Sequence, residues 1–162
     1  LVLRAEVPES GYTRLGEIND ANFTTPYDGR TYSLAELDGR LLSFGKSAES
    51  GACYVPIAFE FNNRGAIVPG TFVEVYLLGK EEEGAISLPV SSLTEEQGLF
   101  FVYVQTSAGH YARHEVTLGA TDGRRVKILK GVKNGDRVVV KGAVQVMLAS
   151  RSSVIPEGHH HE

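Results

Sequence analysis

The chain has no tryptophan, one cysteine and one methionine among its 162 residues. Cys53 stands alone, so no internal disulfide can form. With no paired base or electropositive setting in sequence, it reads as a small residue buried in an apolar strand, not as a nucleophile. Basic charge is not in surplus: 16 Lys and Arg face 20 Asp and Glu, for a formal net charge of −4. That argues against nucleic acid as a partner, since such binders carry a basic face. Apolar runs such as 99–104 fall far short of the ~18 residues that a membrane span needs. No G-x-S-x-G, phosphate-loop, dinucleotide or H-E-x-x-H pattern occurs, so no enzyme chemistry and no cofactor are indicated. No signal peptide is visible, and Leu1 already belongs to a strand-like run, so the chain reads as cut from something longer.

What is present is turn punctuation. Asp28-Gly29, Asp38-Gly39, Asp122-Gly123 and Asn134-Gly135 each separate short runs rich in Val, Ile, Leu, Phe and Tyr. Such dipeptides supply the positive φ angles of tight hairpin turns. The runs alternate with a period of two, the signature of half-buried strands. In the first, Leu1, Leu3, Ala5 and Val7 share a face opposite Arg4 and Glu6; in YVPIAFEF, Val55, Ile57, Phe59 and Phe61 do so. After Pro69-Gly70, Val73, Val75 and Leu77 repeat the pattern. These strands predict a small closed barrel. The segment 79–84 (GKEEEG) is the expected linker. Beyond it, TEEQG (94–98) reads as a turn and 99–105 as a strand apolar on both faces, hence covered on both. RRVKIL (124–129) should bury Val126 and Ile128, and DRVVVKG (136–142) should follow the Asn134-Gly135 turn. Ala143, Val144, Met147 and Leu148 fall at helical spacing.

The candidate chemical residues are few. His110 and His114 sit four apart in a strand-like run, ~13 Å from each other, too far to share an ion. His159, His160 and His161 form a His-rich end whose neutral imidazoles suit Zn or Cu. Three readings of it stand: a native tail without function, a native metal-sequestering tail, or an expression tag. Asp28, Asp38, Asp122 and Asp136 all neighbour turn glycines, where Asp is expected structurally.

Four stretches in order carry a resemblance. AIVPGTFVEVYLL (66–78), followed by ISLPVSSL (86–93) and GLFFVYVQ (98–105), then HEVTLGATDGRRVKILKGVKNGDRVVVKG (114–142), resembles the β-barrel and membrane-proximal domains of periplasmic adaptor proteins. These are also called membrane fusion proteins, and serve tripartite efflux pumps of the resistance-nodulation-division type. LVLRAEV, YVPIAFEFNNRG and the ending IPEGHHHE resemble the heavy-metal-efflux branch. The resemblance implies an all-β protein: a small β-barrel domain over 1–80, a β-roll-like membrane-proximal domain over 81–150 with one or two short helices, and a polar His-bearing tail over 151–162.

It further implies a periplasmic, non-enzymatic connector associated with the inner membrane, homo-oligomeric in the assembled pump. It would link an inner-membrane proton-driven transporter to an outer-membrane channel through a helical hairpin that, like the family's lipoyl domain, is not in this sequence. Copper- and silver-exporting relatives use N-terminal methionines as ligands; with only Met147 here, no metal site carries over. The exposed polar tips expected to meet partners are Arg124, Arg125, Lys127 and Lys130 in the second domain, and Asn62, Asn63 and Arg64 in the first. The alternative reading is a secreted β-barrel module that binds metal through its His tail.

Overall fold

The computed structural model describes residues 1–45 and 54–152, so Cys53 and the His tail lie outside the described residues. The chain divides into two compact units, Leu1–Glu83 and Gly84–Glu162.

Among its described residues the first unit holds six strands: β1 (Val2–Pro8), β2 (Asp20–Thr24), β3 (Thr31–Ser33), β4 (Arg40–Phe44), β5 (Tyr54–Glu60) and β6 (Glu74–Leu78). They form two antiparallel sheets, β1-β5-β4 and β3-β2-β6. The inner faces of both sheets supply one core. β5 gives Val55, Ile57 and Phe59, β1 gives Leu3 and Val7, and β2 gives Ala21 and Phe23; Leu15, Leu34, Phe61 and Ile67 complete it. The alternation read in YVPIAFEF is therefore the burial pattern observed. Each such side chain is worth ~1.5–3 kcal/mol on transfer from water, so β5 is the energetic spine of this unit.

The closed barrel expected from the strand count is not formed: no ladder joins the two sheets among the described strands. The reason lies at Asp38-Gly39. A single 3-10 turn, Ala35–Leu37, ends with Asp38 in the left-handed region (φ 53°). The amides of Leu37 and Gly39 both return to the Leu34 carbonyl. That local closure sends β4 to β5 in the other sheet instead of back along β3. Asp28-Gly29, by contrast, does lie in a hairpin loop, between β2 and β3.

The second unit is a five-stranded antiparallel sheet in the order β7-β11-β10-β9-β8: β7 (Ile86–Pro89), β8 (Thr94–Glu96), β9 (Leu99–Ser107), β10 (His110–Thr121) and β11 (Arg125–Lys130). Val102 and Val104 of β9, Val116 of β10, and Val126 and Ile128 of β11 bury one face together. On the other face, helix α1 (Ala143–Ser152) packs on β8 and β9. Phe101, Val102, Tyr103 and Val104 are accordingly all buried, as a strand apolar on both sides requires.

Two expectations fail here. TEEQG is not simply a turn: Thr94–Glu96 pairs with β9, and only Gln97 (φ 52°) and Gly98 (φ 79°) turn, both in the left-handed region that a two-residue hairpin demands. DRVVVKG does not become a strand. Only Val138 bridges Val104, flanked by hydrogen bonds from the Gln105 amide to the Arg137 carbonyl (2.8 Å) and from the Val139 amide to the Tyr103 carbonyl (2.9 Å). β8 already occupies the first half of this edge of β9, which leaves room for a short contact alone.

Candidate partner-binding surfaces

At one end of the first unit, two loops are braced against each other. The Asn63 side chain closes the turn after β5. Its Oδ1 accepts from the amides of Gly65 (3.0 Å) and Ile67 (3.2 Å), and its Nδ2 donates to the Ile67 carbonyl (2.8 Å). Arg64 and Asn62 both reach Asp38 Oδ2, at 3.2 and 3.4 Å. Buried Ile67 anchors the segment. Beyond it, the Thr71 amide and hydroxyl both donate to the Val68 carbonyl (3.3 and 2.7 Å). From the facing loop, the Tyr27 hydroxyl donates to the Ala66 carbonyl (3.1 Å) and accepts from the Val68 amide (3.3 Å).

This bracing holds apolar side chains out in water. Val68 is 60% and Phe72 94% exposed, beside half-exposed Tyr27. The residues flagged from sequence, Asn62, Asn63 and Arg64, thus hold the loop's shape. Phe72 was not singled out, although a signal existed: it has the opposite parity to Val73, Val75 and Leu77, and no outer sheet covers that face.

The Tyr27 loop is itself clamped by Asp28. Its carboxylate accepts from the Thr25 hydroxyl, from the Arg30 amide (2.9 Å) and from the Tyr32 hydroxyl (2.6 Å). Tyr32 is stacked on buried Phe23, ring centroids 5.4 Å apart. The Thr25 bond foremost, then those from Tyr32 and Arg30, hold the Asp28 carboxyl down at about 2, and the bond that Tyr32 donates to Asp28 pushes the Tyr32 phenol up.

In the second unit, the Asp122 carboxylate caps the β10–β11 turn, accepting from the amides of Arg124 (2.8 Å) and Arg125 (2.7 Å). Arg125 then reaches across β7 to the Ser87 hydroxyl (3.0 Å) and carbonyl (2.8 Å). It therefore ties two strands together while remaining exposed. Lys127 is half-buried beside it on the same strand, and Arg124 and Lys130 are exposed at the two ends. Charge divides unevenly along the chain. Residues 1–83 carry seven Lys and Arg against thirteen Asp and Glu, and residues 84–162 carry nine against seven. The second unit is thus the basic one.

His110 and His114 both lie on β10, and neither Nδ1 faces the other. One meets the Ala108 carbonyl (3.0 Å) and the other the Gly131 carbonyl (3.0 Å). Among the described residues, no three His, Cys, Asp or Glu side chains come together to hold a metal ion. No helix among them is long and apolar enough to cross a membrane.

Comparison with known proteins agrees with the strand pattern. Residues 86–145, from the start of β7 into α1, match the family described as the CzcB C-terminal circularly permuted SH3-like domain. The multidrug resistance protein MdtA of Escherichia coli (strain SMS-3-5) is 31% identical over 127 residues, covering 78% of this chain and 31% of that protein. MdtA of Escherichia fergusonii is 28% identical over 152 residues, covering 92% of this chain and 37% of its own length. The crystal structure of ZneB from Cupriavidus metallidurans aligns at 20% identity with a TM-score of 0.40, over 86% of this chain and 40% of that one. The chain spans about a third of the length of these curated relatives. By sequence, most of the chain is similar to part of a multidrug resistance protein, and its second unit matches the CzcB C-terminal domain.

Proposed function

We propose that this chain is the β-domain portion of a periplasmic adaptor of a tripartite resistance-nodulation-division efflux pump. It would hold an inner-membrane proton-driven transporter in register with an outer-membrane channel. The observation that carries this reading is the match of residues 86–145 to the CzcB C-terminal domain, within a chain 31% identical to MdtA over 127 residues. The work is connective, not catalytic: energy comes from the transporter, and the protein supplies shaped surfaces. On this reading the first unit corresponds to the β-barrel domain and the second to the membrane-proximal domain. The pump contacts fall on the apolar tip at Val68 and Phe72 and on the basic strand residues Arg124, Arg125, Lys127 and Lys130. The adaptor is homo-oligomeric in the assembled pump and sits in the periplasm against the inner membrane.

We assign the chain to the heavy-metal branch of these pumps on the CzcB likeness of its second unit. MdtA, a multidrug protein by name, represents the competing substrate class. Deletion of the gene that encodes the chain should raise intracellular accumulation of the exported compound, and the wild-type gene should restore it. A rise in zinc with no rise in a lipophilic dye supports the metal branch; a rise in the dye alone replaces it with organic efflux. Unchanged accumulation of both overturns the adaptor reading.

A further inference from the structure

Helix α1 packs on β8 and β9 on the outer face of the second sheet. Beside it opens a groove of about 490 Å³ lined by Tyr103, Tyr111, Arg113, Ser150 and Arg151. That volume lies within the range of small-ligand and peptide side-chain sites.

Two arginines set its chemistry. The Glu96 carboxylate lies between two guanidiniums, with Oε2 3.1 Å from Arg113 and Oε1 2.8 Å from Arg151. Two cations share this anion, and the other acid on this face of β10, Glu115, lies opposite Phe101. The Arg113 guanidinium also rests on the Phe101 ring, 4.5 Å from its centroid. A ring below and a carboxylate beside it fix the plane of the fork, so little rotamer freedom is left to lose on binding. A guanidinium has five N–H donors, and among the described residues Arg113 and Arg151 spend theirs on Glu96 alone.

Tyr103 also lines the groove, with its side chain almost wholly buried. On α1, half-exposed Val144 and Leu148 precede Arg151 at i, i+4, i+7 spacing, so one stripe of the helix runs from apolar to basic.

We propose that this groove binds an acidic, partly apolar peptide segment of a partner protein. Its carboxylates would seat on the Arg113 and Arg151 forks beside the Tyr103 hydroxyl, and its apolar residues would lie along Val144 and Leu148. A carboxylate is favoured as the ligand because both guanidiniums already hold one, Glu96, each through a single nitrogen, which leaves their other N–H groups for a second. The proposal concerns the second unit alone and stands whether or not the chain serves an efflux pump.

The test is a titration of the ¹⁵N-labelled chain with an acetylated hexaglutamate peptide, followed by amide chemical shifts. Saturable shifts at Tyr103, Tyr111, Arg113 and Arg151 are expected. R113Q and R151Q should each weaken binding about tenfold, the equivalent of ~1.4 kcal/mol, and Y103F should weaken it severalfold. E96Q should tighten binding severalfold, because the internal competitor loses its charge; a purely structural Glu96 would not do this. Dispersed amide spectra of every variant confirm the fold, and Y103F and E96Q carry the test if an arginine variant unfolds. Shifts centred on Arg124, Lys127 and Lys130 overturn the proposal, as does binding that E96Q leaves unchanged or weakens. An equal response to inorganic phosphate or to phosphatidylglycerol vesicles also overturns it, in favour of general anion or headgroup binding.

Discussion

The Tyr27 hydroxyl accepts a hydrogen bond from the Val68 amide at 3.3 Å, across 41 residues of chain. The same oxygen donates to the Ala66 carbonyl at 3.1 Å, so one phenol fixes both sides of the loop that presents Val68. Y27F keeps the ring and removes both bonds. Each is solvent-accessible, so global stability should fall by only ~1 kcal/mol or less. The loop should loosen more than the fold: hydrogen exchange at the Val68 amide should quicken while the amides of β5 keep their protection. Equal loss of protection at both would mean that Tyr27 supports the core and not the tip.

Phe72 is almost wholly in water, so its ring contributes little to the folded state. F72S should leave the melting temperature unchanged within the ~0.5 kcal/mol typical of surface substitutions. If the tip is a pump contact, the same substitution should reduce efflux in cells carrying the variant gene, since exposed aromatic anchors dominate interface energies. V68S should act in the same direction, more weakly. Full efflux with both substitutions would remove the tip from the interface. A drop in melting temperature would show that Phe72 packs where the structure leaves it bare.

The Asp28 clamp makes stability depend on pH at both ends of the scale. The carboxyl has its ordinary value of 3.8 lowered to about 2 by the bonds from Thr25, Tyr32 and Arg30. The folded state therefore prefers the charged form. Its contribution is complete above about pH 4 and is lost as pH falls toward 2. The Tyr32 phenol is shifted the other way, up from 10.0, by the bond it donates to Asp28. Its contribution is complete below pH 10 and is lost as pH rises through the higher folded value. Urea midpoints taken from pH 2 to 6 and from pH 9 to 12 should show both limbs, and D28N should flatten both. A D28N profile that parallels the wild type would place the acid and alkaline sensitivity elsewhere.

Much of this architecture can be read in the chain where burial is one-sided or two-sided in a regular way. YVPIAFEF alternates because only one face of β5 meets the core, and residues 99–105 do not alternate because α1 covers what the core does not. Val126 and Ile128 are legible for the same reason. What escapes the sequence is non-local or depends on backbone angles. Asp38-Gly39 and Asp28-Gly29 look alike as dipeptides, yet one ends a 3-10 turn and the other lies in a hairpin. Gln97-Gly98 makes a two-residue turn without the usual Asn or Asp. The clasp of Glu96 between Arg113 and Arg151 joins three separate elements, and no spacing rule brings them together. Asn62, Asn63 and Arg64 were recognisable as a polar turn, but that the turn serves to hold Val68 outward follows only from its hydrogen bonds.

Gly131 and Gly135 provide a controlled comparison within one unit. Both have positive φ, 108° and 94°. A methyl group at Gly135 would meet nothing within 4 Å, whereas at Gly131 it would lie 2.2 Å from the Glu115 carbonyl oxygen and 3.0 Å from Val116 Cα. G135A should therefore cost only the left-handed backbone penalty, ~1–2 kcal/mol. G131A carries that penalty plus a collision with backbone that cannot rotate away. It must push β10 from the segment after β11, disturb the His114 Nδ1 contact with the Gly131 carbonyl (3.0 Å), and strain buried Val116. A loss of ~4 kcal/mol or more is expected, in the range that marks a severe steric defect. Chemical denaturation of the two variants checks the difference. Because the collision lies in the second unit, G131A should also erase amide protection in β10 and β11 while β1 and β5 retain theirs. Equal destabilisation by both substitutions would show that backbone angle alone, and not the close approach at Glu115, dictates glycine at position 131.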